Sequence, residues 1–124
     1  MDLTLQNPGD HLFIRSVSRD GIRVAEEIYQ GPIIVSASRI VPDWPVTTAS
    51  ELTESQLEPI FRLEPEIVLI GTGAAQVFLP PELMMYFYRR NTGFEVMTTD
   101  AACRTFNVLV AEERKVVAAL IPIR

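Results

Sequence analysis

The sequence predicts an α/β fold in which a central sheet is covered by helices on both faces. Residues 67–70 form an unbroken apolar run between Pro65 and Gly71, which is typical of a short strand buried on both faces. Other strand-like runs alternate along the chain with segments of helical periodicity, as in proteins with a layered α/β sheet. The chain has 124 residues, of which 48% are hydrophobic. We therefore expect a single domain with its own core.

The first part of the chain predicts extra antiparallel strands before the main sheet. Residues 12–14, 22–24 and 27–29 are short strand-like runs, and Arg19-Asp20-Gly21 is a turn signal between the first two. Residues 33–35 are expected to form the first strand of the main sheet. Residues 36–45 contain two prolines, so we expect irregular structure around Trp44.

Three helices are expected in the rest of the chain. Thr53 and Gln56 form a capping-box pattern that starts the first helix, which ends before Pro65. Pro80-Pro81-Glu82 opens the second, which Gly93 is expected to end. Its apolar stripe consists of Leu83, Met84, Phe87 and Tyr88.

The third helix is expected to begin at Thr98-Thr99-Asp100 and to run to about Glu112. Residues 94–97 before it are predicted to form a core strand, and residues 116–121 after it the final strand. The residues expected to face the core from this helix are Ala102, Phe106, Leu109 and Val110.

Composition excludes several functional classes. The chain carries 16 acidic residues against 11 Lys and Arg, a net charge of −5, which disfavours binding to nucleic acid. The single Cys103 excludes an internal disulfide, and the single His11 excludes a histidine-rich metal site. The start at Met1-Asp2-Leu3-Thr4 does not resemble a signal or transit peptide, and no apolar run is long enough to span a bilayer. We expect a cytoplasmic protein without membrane insertion.

The turn Gly71-Thr72-Gly73 is the first candidate site, because open α/β sheets tend to bind ligands where a strand ends. Its N–H groups could face an anion or a nucleotide. A dinucleotide fingerprint would need a third glycine, where the chain has Gln76, and a helix that starts at once. The sequence therefore favours a structural turn, with positive φ at Gly71 or Gly73.

The third helix carries two further candidates. Cys103 lies near its start, where a thiol can be activated, but a buried structural thiol is the favoured interpretation. Asn107 shares a face with Cys103 and can either hold a neighbouring segment or contact a ligand. We hypothesise that its amide hydrogen-bonds the backbone of the turn at residues 71–73.

The loop at Asp43 and Trp44 leaves two alternatives open. A tryptophan between two prolines can anchor a partner protein, and it can equally cover the core.

Several stretches together resemble a small α/β family of uncharacterised biochemistry, which includes mitochondrial complex I assembly factor 3 and the adipogenesis-associated domain protein. The resemblance covers roughly residues 10–122, and the helix at residues 100–109 together with the glycine turn carries it most specifically. The stretches concerned are Pro42-Asp43-Trp44, Leu63-Glu64-Pro65, Gly71-Thr72-Gly73, residues 100–109 and residues 117–122. Without a mitochondrial presequence, the chain looks like a bacterial member.

The resemblance implies a three-layer fold, with a mixed five-stranded sheet between helices and additional N-terminal strands. It also implies a non-enzymatic binding or assembly module, without catalytic residues, metal or cofactor. Its partners are expected among membrane-complex subunits or the export machinery, and a homodimer is left open. The alternative is a small-molecule binder or enzyme with a cleft beside the glycine turn. The tentative ligand or partner surface consists of Asp43, Trp44, Gly71, Thr72, Gly73, Cys103, Thr105 and Asn107.

Overall fold

The computed structural model describes residues 11–123, which begin with a three-stranded antiparallel sheet. Its strands are β1 (Ile14–Ser18), β2 (Gly21–Val24) and β3 (Glu27–Tyr29), hydrogen-bonded in that order. The extra N-terminal strands expected from the sequence are therefore confirmed. The expectation about residues 1–4 lies outside the described residues.

The central sheet is mixed and has five strands, as the family resemblance implied. Along the chain they are β4 (Ile33–Ser36), β5 (Ile40–Pro42), β6 (Ile67–Gly71), β7 (Gly93–Met97) and β8 (Val116–Leu120). Their order in space is β5-β4-β8-β6-β7, and β6 is parallel to both β7 and β8. β4 is antiparallel to β5 and β8.

The strand β6 lies inside the sheet, as predicted. Val68, Leu69 and Ile70 are fully buried and Ile67 is half-buried. An apolar side chain is needed at each of these positions because both faces of the sheet are covered.

Helices cover both faces of the sheet, which confirms the predicted layers. On one face, α1 (Glu54–Phe61) and α2 (Pro81–Arg89) contribute Leu57, Ile60 and Phe87 to a core with Val68 and Ile70. On the other face, α3 (Thr99–Ala111) and the N-terminal sheet pack against alternate residues of the same strands. The capping box of α1 is present, with the Thr53 N–H donating to Gln56 Oε1 over 2.9 Å.

Residues 43–46 around Trp44 are irregular, as expected from the two prolines. Residues 40–42 nevertheless form β5, since Pro42 is tolerated at the end of an edge strand. Residues 94–97 were expected to form a core strand, but β7 pairs only with β6 among the described strands and is therefore an edge.

The expectations for α2 also need correction. The helix ends at Arg89, and Gly93 opens β7 instead of ending the helix. Tyr86 is buried beside Leu83 and Phe87, whereas Met84 and Tyr88 of the predicted stripe are exposed. Helical spacing placed the apolar residues on one side, but the helix has more of them than the sheet beneath can cover.

Candidate functional site

The Gly71-Thr72-Gly73 turn follows β6 and is hydrogen-bonded to neighbouring parts of the protein. Gly73 has φ +105°, which confirms the predicted positive φ, whereas Gly71 does not have one. The Thr72 N–H donates to Met97 O over 2.9 Å, and the Gly73 N–H donates to Thr99 Oγ1 over 2.8 Å. Both N–H groups therefore have protein partners and do not point freely towards an anion.

Thr72 closes the loop that leaves the turn. Its hydroxyl donates to Ala75 O over 2.7 Å and accepts from the Val77 N–H over 3.2 Å. The side chain is 7% exposed, so its polar atoms need these partners. Thr72 therefore fixes the loop at residues 72–77 and is not a surface group.

Thr99 holds the glycine turn, although the sequence did not predict it as a site residue. Its side chain is fully buried, and its hydroxyl accepts from the Gly73 N–H and donates to Ile121 O. The Thr99 N–H in turn donates to Gly73 O over 3.0 Å. One hydroxyl thus joins the end of β6, the start of α3 and the residue after β8. The sequence signal was present in Thr98-Thr99, but this pair predicted only a helix cap.

The hypothesis that Asn107 holds the glycine turn is wrong. Its Nδ2 donates to Ile14 O and its Oδ1 accepts from the Ile14 N–H, both over 2.8 Å. No hydrogen bond joins Asn107 to residues 71–73 in the described part of the chain. Asn107 instead fixes β1 to α3 across 93 residues of sequence.

We expect Asn107→Ala to lower the free energy of unfolding by about 1–2 kcal/mol, because both backbone groups of Ile14 lose their partner. Chemical denaturation followed by circular dichroism measures this loss. The exposed neighbour provides a control, and Val108→Ala should have almost no effect. Equal losses from the two variants would contradict a specific role of the amide.

Cys103 is a buried thiol, as favoured from the sequence. It is 4% exposed and packs in the core between α3 and the sheet, with Phe106 as a neighbour in that cluster. Burial raises the pKa of the Cys103 thiol to about 12, and the carboxylate of Asp100 adds to the rise. Thr105, the next candidate on this helix, is half-buried, and its hydroxyl contacts Met97 Sδ at 3.7 Å.

We expect a thiol reagent such as DTNB to label native Cys103 only slowly, because the thiol is buried and its raised pKa keeps the thiolate fraction small. Unfolding restores the ordinary thiol pKa of 9.0, so the unfolded chain loses this proton at lower pH than the folded chain. The neutral thiol therefore makes its full contribution to the free energy of unfolding below about pH 9. This contribution is lost as the pH rises from 9 towards about 12.

Cys103→Ala should remove this alkaline component at a cost of about 1–2 kcal/mol for the small cavity. Fast labelling of the wild-type protein without denaturant would show an exposed, activated thiolate.

Of the two alternatives for Trp44, a partner anchor or a cover over the core, the structure shows the cover. The indole is 2% exposed and packs in the core. Trp44 Nε1 donates to Gln56 O over 2.8 Å, which ties the loop to α1. Its ring is therefore not presented to a partner. Asp43 is exposed and has φ +60°, and it lines a cleft of about 600 Å³ together with Asp20 and Tyr29.

A second cleft, of about 490 Å³, lies at the opposite end of β8 from the glycine turn. Its lining includes His11, Ser36, Ser38 and Lys115. Neither cleft is lined by residues 71–73. Beside this second cleft, the Lys115 backbone N–H lowers the pKa of the Glu66 carboxyl, with a smaller contribution from Arg114.

The part of the chain that is described, residues 11–123, contains no group of three or more His, Cys, Asp or Glu residues placed to hold a metal ion.

The largest exposed apolar side chains gather in sequence around α2. Phe78, in the loop before the helix, is 81% exposed, and Tyr88 is 67% exposed. Met84 and Met85 are also exposed. We call these four residues the α2 surface. The sequence predicted an apolar stripe that included Met84 and Tyr88, but it did not indicate that these two residues are exposed.

A family model described as a protein of unknown function (DUF498/DUF598) matches residues 14–121. The chain belongs to this family. The match agrees with the range of roughly 10–122 over which the sequence showed its resemblance.

Relatives of the DUF498/DUF598 chain include named assembly factors. It is 34% identical over 113 residues to the mouse NADH dehydrogenase (ubiquinone) 1 alpha subcomplex assembly factor 3, covering 90% of this chain and 60% of the relative. It is 33% identical to the 13 kDa major membrane protein of Francisella tularensis, covering 75% of this chain and 76% of that protein. The chain thus spans 60% of the mouse assembly factor, which is less than two thirds of its length.

A solved structure supports the fold of the DUF498/DUF598 chain directly. The crystal structure of a Bordetella parapertussis protein superimposes with a TM-score of 0.84 at 34% identity. The alignment covers 90% of this chain and 96% of that one. Within residues 11–123, none of the helices has the length and apolar character needed to cross a membrane.

Proposed function

We propose that the protein is a non-enzymatic binding module that assists the assembly of a membrane protein complex by holding a subunit on the α2 surface. The exposure of Phe78 and Tyr88 carries this proposal. Monomeric proteins rarely expose large apolar groups together, and aromatic residues and methionine are enriched where proteins bind one another. The unbranched Met84 and Met85 side chains can adapt to apolar surfaces of different shape.

The names of two relatives support the same class of partner. One is named as an assembly factor of an NADH dehydrogenase subcomplex, and the other is named as a major membrane protein. In this proposal the protein acts in the cytoplasm and receives a subunit there. The alternative of a ligand cleft beside the glycine turn gains less support, because the N–H groups of Thr72 and Gly73 already have protein partners.

Site-specific photocrosslinking in the native cells tests the proposal. A benzoylphenylalanine at position 78 should crosslink to subunits of a membrane-bound complex, identified by mass spectrometry. The control is the same group at Arg19, which is exposed in the turn between β1 and β2. Identical crosslinks from both positions, or crosslinks only to lipid, would refute the α2 surface as a subunit-binding site.

A further inference from the structure

The edge strand β7 has backbone groups that face away from the sheet. The Gly93 N–H donates to Glu66 O and Met97 O accepts from the Thr72 N–H, so these two residues direct their groups towards β6. Backbone direction alternates along a strand in a parallel ladder. Phe94 and Val96 therefore direct their N–H and C=O groups towards the open edge.

One side chain already acts on this edge in the way that a docking strand would. Gln76 Nε2 donates to Val96 O over 3.0 Å from the loop that follows the glycine turn. This amide occupies one acceptor position of the edge. It is exposed on a loop, so an incoming backbone N–H can replace it without opening the core.

The two sheets have three other edge strands, β1, β3 and β5. β5 and β3 have three residues each, and β5 ends in Pro42. Short strands and proline are usual devices that prevent unwanted strand pairing. β1 has five residues, but its register is irregular between Ile14 and Ser16, and Asn107 binds both backbone groups of Ile14. β7 has five residues, no proline and a regular register, so it offers the longest regular edge.

The two faces of β7 differ in chemistry. On the α2 side, Phe94 stacks on Phe87 at 4.5 Å between ring centroids and meets the exposed Tyr88 at 6.1 Å. Met84 lies one helical turn before Tyr88, on the same flank of the helix. On the opposite face Glu95 is exposed, and no described residue forms an ion pair with it.

We propose that β7 binds an extended segment of another protein in which apolar and basic residues alternate, adding a sixth strand to the central sheet. The apolar side chains of this segment would lie beside Phe94 and the Met84–Tyr88 flank, and a Lys or Arg would lie beside Glu95. This inference rests on the proposed function, since it names the form in which a subunit binds beside the α2 surface. When a strand is added to a sheet edge, backbone hydrogen bonds provide the affinity and contacts of alternate side chains provide the specificity.

Charge argues against a second copy of this chain as the occupant. A symmetric antiparallel pair centred on Glu95 would place two carboxylates opposite one another, which is unfavourable. Each copy also carries a net charge of −5, so two copies would repel one another. A basic segment is attracted by the same charges.

The probe is a short fluorescein-labelled peptide in which valine and lysine alternate, titrated with the protein and followed by fluorescence polarisation. We expect Glu95→Lys to weaken its binding by about tenfold and to favour a peptide alternating valine and glutamate instead. Gln76→Ala should strengthen binding by about threefold, because the competing amide is gone. Both side chains are exposed, so melting curves should show that the variants fold.

Two control peptides separate edge addition from general attraction to an acidic protein. One has the same composition with valines and lysines in separate blocks, and the other is N-methylated at alternate residues and lacks the donors needed for strand pairing. Both should bind weakly. Equal binding of either control, or no binding of the alternating peptide, would overturn the proposal. So would sedimentation that shows a dimer which the peptide does not dissociate, because the occupant would then be a second copy.

Crosslinking at position 78 and peptide binding at β7 can fail separately. Crosslinks to complex subunits without peptide binding would leave the assembly role intact and remove the strand-addition mode alone.

Discussion

Thr99→Val should lower the free energy of unfolding by about 2–4 kcal/mol, because the Gly73 N–H and Ile121 O would both lose their partner in a buried site. Valine has nearly the shape of threonine, so packing changes little and the loss reports the hydroxyl. Urea denaturation followed by circular dichroism gives the value directly.

Thr99→Ser separates the hydroxyl from the methyl group. It keeps both hydrogen bonds and removes one methyl, so its cost should be near 1 kcal/mol. If Thr99→Ser and Thr99→Val destabilise the protein equally, the Thr99 hydroxyl does not hold Gly73 and Ile121 together.

Gly71→Ala should be comparably destabilising, by about 3 kcal/mol, because the new methyl group has no space. A Cβ at position 71 would lie 2.9 Å from Thr99 Oγ1, 3.0 Å from Leu120 Cδ2 and 3.0 Å from Thr99 Cα. Backbone and core atoms cannot move away as a flexible surface side chain can. The strand must shift or α3 must retreat, and the midpoint of thermal unfolding measures the result.

Gly31→Ala is the matched control, since a Cβ there meets no atom within 4 Å. It should leave stability almost unchanged or raise it slightly by restricting the unfolded chain. If Gly31→Ala lowers stability as much as Gly71→Ala, the close approach of α3 to Gly71 is not the cause of the destabilisation.

Much of the fold could be predicted because local and global signals agree. The apolar run at residues 67–70 marked a strand buried on both faces, and Thr53 with Gln56 marked the start of α1. The fifth strand came only from the family resemblance, since the prolines at 42 and 45 concealed β5. Proline restricts a strand's position in a sheet and does not exclude a strand.

The candidate site was less predictable, because it depends on which elements meet. Thr99 and Asn107 are both polar residues on an apolar helix, and nothing in their spacing tells which of them reaches the glycine turn. The structure assigns Thr99 to the turn and Asn107 to β1. The exposure of Met84 and Tyr88 was equally hidden, because periodicity identifies an apolar face and not the width of the surface that covers it.

The position of β8 in the sheet sets an order of events during synthesis. β8 is the last strand of the described chain, yet it lies between β4 and β6, and no other strand joins these two. Residues 33–71 therefore leave the ribosome with strand edges that have no neighbour until residues 116–120 follow. The central sheet can close only at that late stage, so the nascent chain passes through a state that exposes the pairing edges of β4 and β6 to other proteins.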